Sequence, residues 1–226
     1  MMMMTTKKAI WLLLFLFTAQ FTVSQTNDFG IWSSATVEYK LVNNLRFDFD
    51  LNLRTYDNTS KIEEVFFDIG LTYRFNKYLS AAASYRYTQF NEKNNTFYPR
   101  HKWFADLRGK LPLGDFDISA RLRFEQRFKT YYKDENDKEP QEHLRIKPKV
   151  LYNIPSFPVN PYVSSELFIP VFNETKKNLD KARFIAGFEY NISKKHSIEL
   201  EYIYERDSYP KLSNMNIISV NYNLKF

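Results

Sequence analysis

The fold that this sequence predicts is all-β, a single antiparallel transmembrane β-barrel behind a cleaved signal peptide, and three observations predict it. Aromatic residues make up 18% of the 226 residues, yet the mean hydropathy is −0.49. Apolar and charged residues alternate at period two over nearly the whole length, which reconciles a high aromatic content with a polar average, because each strand shows one apolar and one charged face. The connections between alternating runs are short and long by turns, the layout of a barrel with tight turns at one mouth and loops at the other.

Residues 1–24 have the form of a secretory signal. Lys7 and Lys8 precede the apolar run Ala9 to Phe17, and Thr22-Val23-Ser24 offers a small-residue cleavage site. Nine apolar residues are too few to span a bilayer as a helix. The remainder, 25–226, carries no linker and no break in composition, so it reads as one domain.

The strands follow in order. Ile31 to Val42 comes first. Leu45 to Tyr56 is the cleanest, with Leu45, Phe47, Phe49, Leu51 and Leu53 in one phase and Arg46, Asp48, Asp50, Asn52 and Arg54 in the other. A helix would scatter those charges around its surface, whereas a strand gathers them on one face. Glu63 to Phe75, Tyr78 to Phe90, Arg100 to Leu111, Phe116 to Phe128 and Glu142 to Tyr152 alternate in the same way. Pro161 to Ile169 is weaker, and Ala182 to Tyr190, His196 to Arg206 and Asn214 to Phe226 complete the set. These segments number eleven; because single-chain bacterial barrels carry even numbers, the expectation is twelve strands, with an extra one hidden in Gln25 to Ile31, or else ten.

The apolar face is expected in lipid. About ten strands with some five large apolar groups each would overfill the interior of a small barrel. The final residues reinforce this: Ile218, Val220, Tyr222, Leu224 and Phe226 form an alternating apolar series ending in Phe, resembling the terminal strand that barrel-insertion machinery reads. The expected location is the bacterial outer membrane, with membrane lipid and that machinery as partners.

The charged phase then lines the lumen. If residues across the Pro112-Leu113-Gly114 turn pair with numbers summing to 227, Lys110 faces Asp117, Asp106 faces Arg121 and Lys102 faces Glu125, all opposite in charge. Similar arithmetic brings Lys147 to Glu166 and Arg183 to Glu205. The surplus left over, Arg100, Arg108, Arg123, Arg127, Arg145 and Lys149, forms with Arg121 and Lys147 a basic wall, and it faces an acidic wall of Glu199, Glu201 and Glu205. Such walls either set a transverse field that selects solutes or attract one another and shut the lumen.

Catalytic chemistry finds little support. There is no cysteine, there are five glycines, and the three histidines, His101, His143 and His196, stand far apart. This leaves no thiolate or His-rich metal site, no disulfide framework and no phosphate-cradling loop. No cofactor or metal is expected, and a modest inward-facing positive charge gives nucleic-acid binding no footing.

Several segments resemble a known family. Asp28-Phe29-Gly30-Ile31-Trp32, the alternating strand ending in Leu53-Arg54, Phe67-Asp68-Ile69-Gly70-Leu71-Thr72-Tyr73-Arg74-Phe75-Asn76-Lys77-Tyr78 and Ser84-Tyr85-Arg86-Tyr87 are similar to the uncharacterised family numbered 2490 among the domains of unknown function. The resemblance implies an outer-membrane protein of the Bacteroidota type, hence Gram-negative, and carries over no activity or ligand. The function expected from the residues is a narrow, porin-like passive pore for small polar or anionic solutes and not an enzyme; the alternatives are a closed structural or surface-binding barrel and, third, a lipid-modifying enzyme.

Overall fold

The computed structural model describes residues 27–92, 96–132, 138–171, 179–208 and 212–226. The expected signal at 1–24 lies outside them. Eleven strands form one closed barrel: β1 (Asn27–Val42), β2 (Leu45–Tyr56), β3 (Lys61–Arg74), β4 (Leu79–Asn91), β5 (Phe97–Leu113), β6 (Phe116–Lys129), β7 (Gln141–Tyr152), β8 (Val159–Pro170), β9 (Lys181–Asn191), β10 (His196–Asp207) and β11 (Ser213–Lys225). Consecutive strands pair antiparallel, and β1 closes the barrel by pairing parallel with β11, from Asn27 beside Asn214 to Glu38 beside Lys225.

The barrel therefore has neither twelve strands nor ten. Asn27 to Ile31 make no strand of their own; they lengthen β1 to 16 residues. When each strand reverses the last, the first and last of an odd set point the same way, so an odd barrel can close only through a parallel pair. Parallel ladders are slightly weaker per residue, and this one is compensated by its length and by clasps at its upper end. Asp28 accepts hydrogen bonds from the backbone N–H groups of Asp57 (3.0 Å) and Asn58 (2.9 Å). Those two residues and Thr59 lie at positive φ in the β2–β3 loop. Gly30 allows the close approach: a Cβ there would lie 2.5 Å from the Thr55 carbonyl oxygen and 2.3 Å from the Met215 methyl.

The connections alternate between the two ends as expected, but not strictly in length: β7–β8 spans six residues and β2–β3 only four. The β1–β2, β3–β4, β5–β6, β7–β8 and β9–β10 turns lie at the end where β11 finishes, and Phe226 donates its N–H to the Glu38 carbonyl there (2.8 Å). The other five connections lie at the opposite end and include the two longest, 130–140 and 171–180. A strand of about 12 residues at roughly 3.3 Å each, tilted by about 40°, rises about 30 Å, the thickness of a hydrocarbon core.

The two faces are inverted relative to a water-soluble barrel. Outward side chains are apolar and bare: Leu51 is 50% exposed and Val163 60%. Inward ones are charged and buried: Asp106 is 3% exposed and Glu166 2%. An apolar belt on this scale is far beyond the patches that soluble monomers leave in water.

The β5–β6 register differs from the expected one. Leu113 pairs with Phe116 and Lys110 with Ser119, so the sum is 229 rather than 227. The ladder runs to the edge of a two-residue turn, Gly114-Asp115, which needs the positive φ of Gly114. A slip of two preserves the face of every side chain. Lys110–Asp117 (2.8 Å) and Lys102–Glu125 (3.4 Å) therefore survive as diagonal ion pairs, while Asp106 exchanges Arg121 for Arg123. Arg183 does stand opposite Glu205.

Candidate functional site

In the loop-end half of the lumen, arginines and aromatic rings alternate around the wall. The Arg54 guanidinium lies 4.0 Å from the centre of the Trp32 ring and 4.8 Å from Phe66. Arg86 covers the other side of Phe66 at 3.6 Å and reaches Phe104 at 5.9 Å. Arg123 stacks on Phe104 at 3.8 Å. Arg145 and Arg183 sandwich Phe168 at 4.2 and 4.7 Å, and Arg183 returns to Trp32 at 4.8 Å. That last contact joins β9 to β1 across two intervening strands, whose Ile203 and Ile217 are buried at 3% and 0% exposure. The ring thus passes through the lumen rather than merely along its wall.

Each arginine that offers a ring face also offers an edge to a carboxylate. Arg86 binds Asp68 through two nitrogens at 2.6 and 2.7 Å, and Arg123 binds Asp106 at 2.6 and 2.9 Å. Arg54 pairs with Glu64 (2.7 Å) and Arg183 with Glu205 (2.6 Å). Arg123 and Arg145 are direct cross-strand partners, a like-charge contact that would be unfavourable alone. Glu125 (2.8 Å) and Glu166 (2.7 Å) neutralise Arg145, while Asp106 serves Arg123. Glu166 also accepts from Arg121 and from Arg183 (3.3 Å), so one carboxylate ties β6, β7 and β9 to β8. Planar guanidinium suits this double use, with donors on its edge and a stacking face.

The expected basic wall is inward, and five of its eight cations meet carboxylates. Arg121 and Arg145 take Glu166, Arg123 and Arg108 take Asp106, Arg100 takes Glu92, and Arg127 donates to the Gln141 side chain. Lys149 lies over the Tyr162 ring at 3.6 Å. Lys147 sits beside Glu166 in sequence register, yet the Glu166 carboxylate turns to the arginines. On the acidic wall, Glu205 binds Arg183 and Lys181, while Glu199 and Glu201 both accept from the Tyr162 hydroxyl, at 3.0 and 2.7 Å. Tyr162, with Lys149 over its ring and its hydroxyl on Glu199 and Glu201, links the two walls.

The histidines are dispersed. His101 faces outward and its Nδ1 is 2.6 Å from the Tyr85 hydroxyl, His143 Nε2 is 2.9 Å from Asp180, and His196 Nδ1 is 2.6 Å from the Tyr222 hydroxyl. The terminal series Ile218, Val220, Tyr222, Leu224 and Phe226 runs down the outer face of β11, with Val220 and Phe226 exposed. The aromatic half of the ring was not read from the sequence. Its signal is a Phe or Trp standing in the charged phase, as at Phe66 and Phe104 beside outward Phe67 and Trp103. At the turn end, the lumen opens into a cavity of about 270 Å³ whose lining includes Lys40, Arg46, Arg74 and Arg108.

Comparison with solved structures shows a shared fold. The β domain of the Bordetella autotransporter BrkA is 11% identical, with a TM-score of 0.53 over 83% of this chain and 86% of that one. LpxR from Salmonella typhimurium is 9% identical, with a TM-score of 0.52 over 84% and 87%. No curated protein matches. Both structures establish the barrel architecture alone. A family model, "Protein of unknown function (DUF2490)", matches residues 29–216, a stretch that holds every arginine and aromatic residue of the ring, and the chain therefore belongs to the DUF2490 family.

Proposed function

We propose that the protein is an outer-membrane β-barrel of a Gram-negative bacterium of the Bacteroidota type, exported by the 1–24 signal, whose lumen is shut. It acts through the surfaces at its mouths rather than by conducting solutes. The observation that carries this reading is the ring: Trp32, Phe66, Phe104, Phe168, Arg86, Arg123, Arg145 and Arg183 are each no more than 9% exposed. Buried arginines paired to carboxylates and stacked on rings leave few groups free to field a passing ion. The apolar outer belt and the likeness to the two solved barrels support the location, and the alternating apolar end of β11 supports recognition by insertion machinery.

The test is single-channel conductance of refolded, heat-modifiable protein in planar bilayers under a salt gradient. The expected result is silence, and the double substitution Trp32→Ala with Phe104→Ala is expected to open steps. Steady anion-selective steps from the unaltered protein would overturn the closed reading. They would favour a narrow pore for small polar or anionic solutes, whose selectivity Arg123→Glu would then reverse.

A further inference from the structure

The cavity at the turn end is built unlike the rest of the lumen. Two rows of side chains line it. Lys40 on β1 stands opposite Arg46 on β2, which stands opposite Thr72 on β3. Arg74 on β3 stands opposite Ser80 on β4, which stands opposite Arg108 on β5. Neighbouring strands are about 4.8 Å apart, so four cations share an arc of roughly 20 Å around a space of about 270 Å³. Glu38 is the one carboxylate residue in that lining.

In the ring the arginines meet acids; at the vestibule two cations do not. Arg46 is engaged by Glu38 (2.7 Å) and Asp48 (2.6 Å), and Arg108 by Asp106 (2.6 Å). Lys40 and Arg74 make no ion pair among the described residues. Lys40 is moreover set directly against Arg46, the arrangement that cross-strand pairing penalises. The β1–β2 register shifts between Lys40 and Val42, and the Lys40 N–H is anchored on the Phe226 carbonyl at 3.1 Å. Bulges at barrel rims commonly re-aim one side chain. Concentrated like charge in a hollow at a mouth attracts an anion of matching size.

We propose that this vestibule is a binding site for a phosphate group. Arg74 contacts two phosphate oxygens through its guanidinium edge, Lys40 supplies a point charge from the opposite row, and the Ser80 hydroxyl donates to a third oxygen. Guanidinium–phosphate pairs are commonly bidentate, and lysine binds phosphate as a point charge. The cavity accommodates a phosphate with a short substituent, whether it belongs to a free phosphorylated solute or to a lipid headgroup. Phosphate occupancy relieves the Lys40–Arg46 opposition. The inference goes beyond the closed-lumen reading and does not depend on it, since the cavity opens at the turn end without passing the ring.

The test is equilibrium binding to full-length refolded protein in neutral detergent, with heat-modifiability as the check on folding. The probes are inorganic phosphate, glycerol 3-phosphate and micelles doped with phosphatidic acid. Saturable submillimolar binding of either soluble probe, weakened tenfold or more by Arg74→Gln and by Lys40→Gln but not by Lys194→Gln on a turn at the same end, supports a solute site. The same dependence seen with phosphatidic acid alone supports a headgroup site. Absence of saturable binding for all three probes overturns the proposal, as does binding that Arg74→Gln and Lys40→Gln leave within twofold. Both variants lie on exposed side chains at the mouth, so they are expected to fold as the unaltered protein does.

Discussion

The two ends of this lumen use the same residue type for opposite purposes. At the loop end, Arg86 has its edge on Asp68 and its face on Phe66. At the turn end, Arg74 lies exposed beside a cavity and has no ion-pair partner among the described residues. An arginine whose edge and face are both taken is a structural cross-link; one whose edge is unused is available to a ligand. Charge sign alone does not separate the cases. Partner geometry does, and it assigns stability to the ring and recognition to the mouth.

Glu166→Ala is the substitution that breaks the loop-end half most severely. It leaves Arg121 without its carboxylate and takes one of two carboxylates from Arg145 and from Arg183, and removing one member of a buried pair typically costs 3–5 kcal/mol. The expected result is a large drop in the urea midpoint of the protein folded in liposomes, or failure to refold. A midpoint unchanged from the unaltered protein would mean that the network stores little energy.

Phe104→Ala comes next. It removes the ring between Arg86 and Arg123 and leaves a cavity at a 4% exposed position, with an expected cost of about 3 kcal/mol. Tryptophan fluorescence during urea unfolding would follow it. A double-mutant cycle on Asp68 and Arg86 sharpens the electrostatic part. Asp68→Ala and Arg86→Met should each destabilise by about 3 kcal/mol, and the double variant by less than their sum, because the second change removes the orphaned charge left by the first. Strict additivity in that cycle would show the pair to be energetically idle.

Gly30→Ala tests the closing pair of strands. Its Cβ would press on the Thr55 carbonyl, an overpacking that costs about 1–3 kcal/mol, visible as earlier hydrogen exchange along β1 than along β6. Arg74→Gln is expected to leave the unfolding midpoint where it was. If it moved the midpoint as far as Glu166→Ala, the contrast between the two ends would collapse.

Much of the architecture was legible in the residues, because alternation is a local property. Leu45 to Tyr56 declares both its strand and its faces, and the long and short connections follow from where alternation stops. Three features were not legible, each for a physical reason. Strand parity turned on Asn27 to Ile31, where Gly30 interrupts the pattern because the backbone of β2 lies against it. Register across Gly114 was misjudged by two, and a two-residue slip changes no side chain's face, so periodicity is blind to it. The inward aromatics were hidden because a Phe in a charged phase reads as noise until its stacked arginines are seen. Yet the segments that carry the family resemblance include Trp32, Arg54, Asp68 and Arg86, all four of them in the ring or its ion pairs.

The parallel junction of β1 with β11 also limits how this chain could be rewired. Asn27 stands beside Asn214, eleven residues from Lys225 along the same strand direction, so the start of β1 and the finish of β11 are separated by roughly 36 Å at about 3.3 Å per residue. A circular permutant would need a tether that long. Run inside, the tether would have to thread past the packed arginines; run outside, it would drag unpaired peptide groups through hydrocarbon, at several kcal/mol for each unsatisfied group. An even-stranded barrel brings both ends to one mouth and tolerates such a splice, whereas this one fixes the order in which its strands can be encoded.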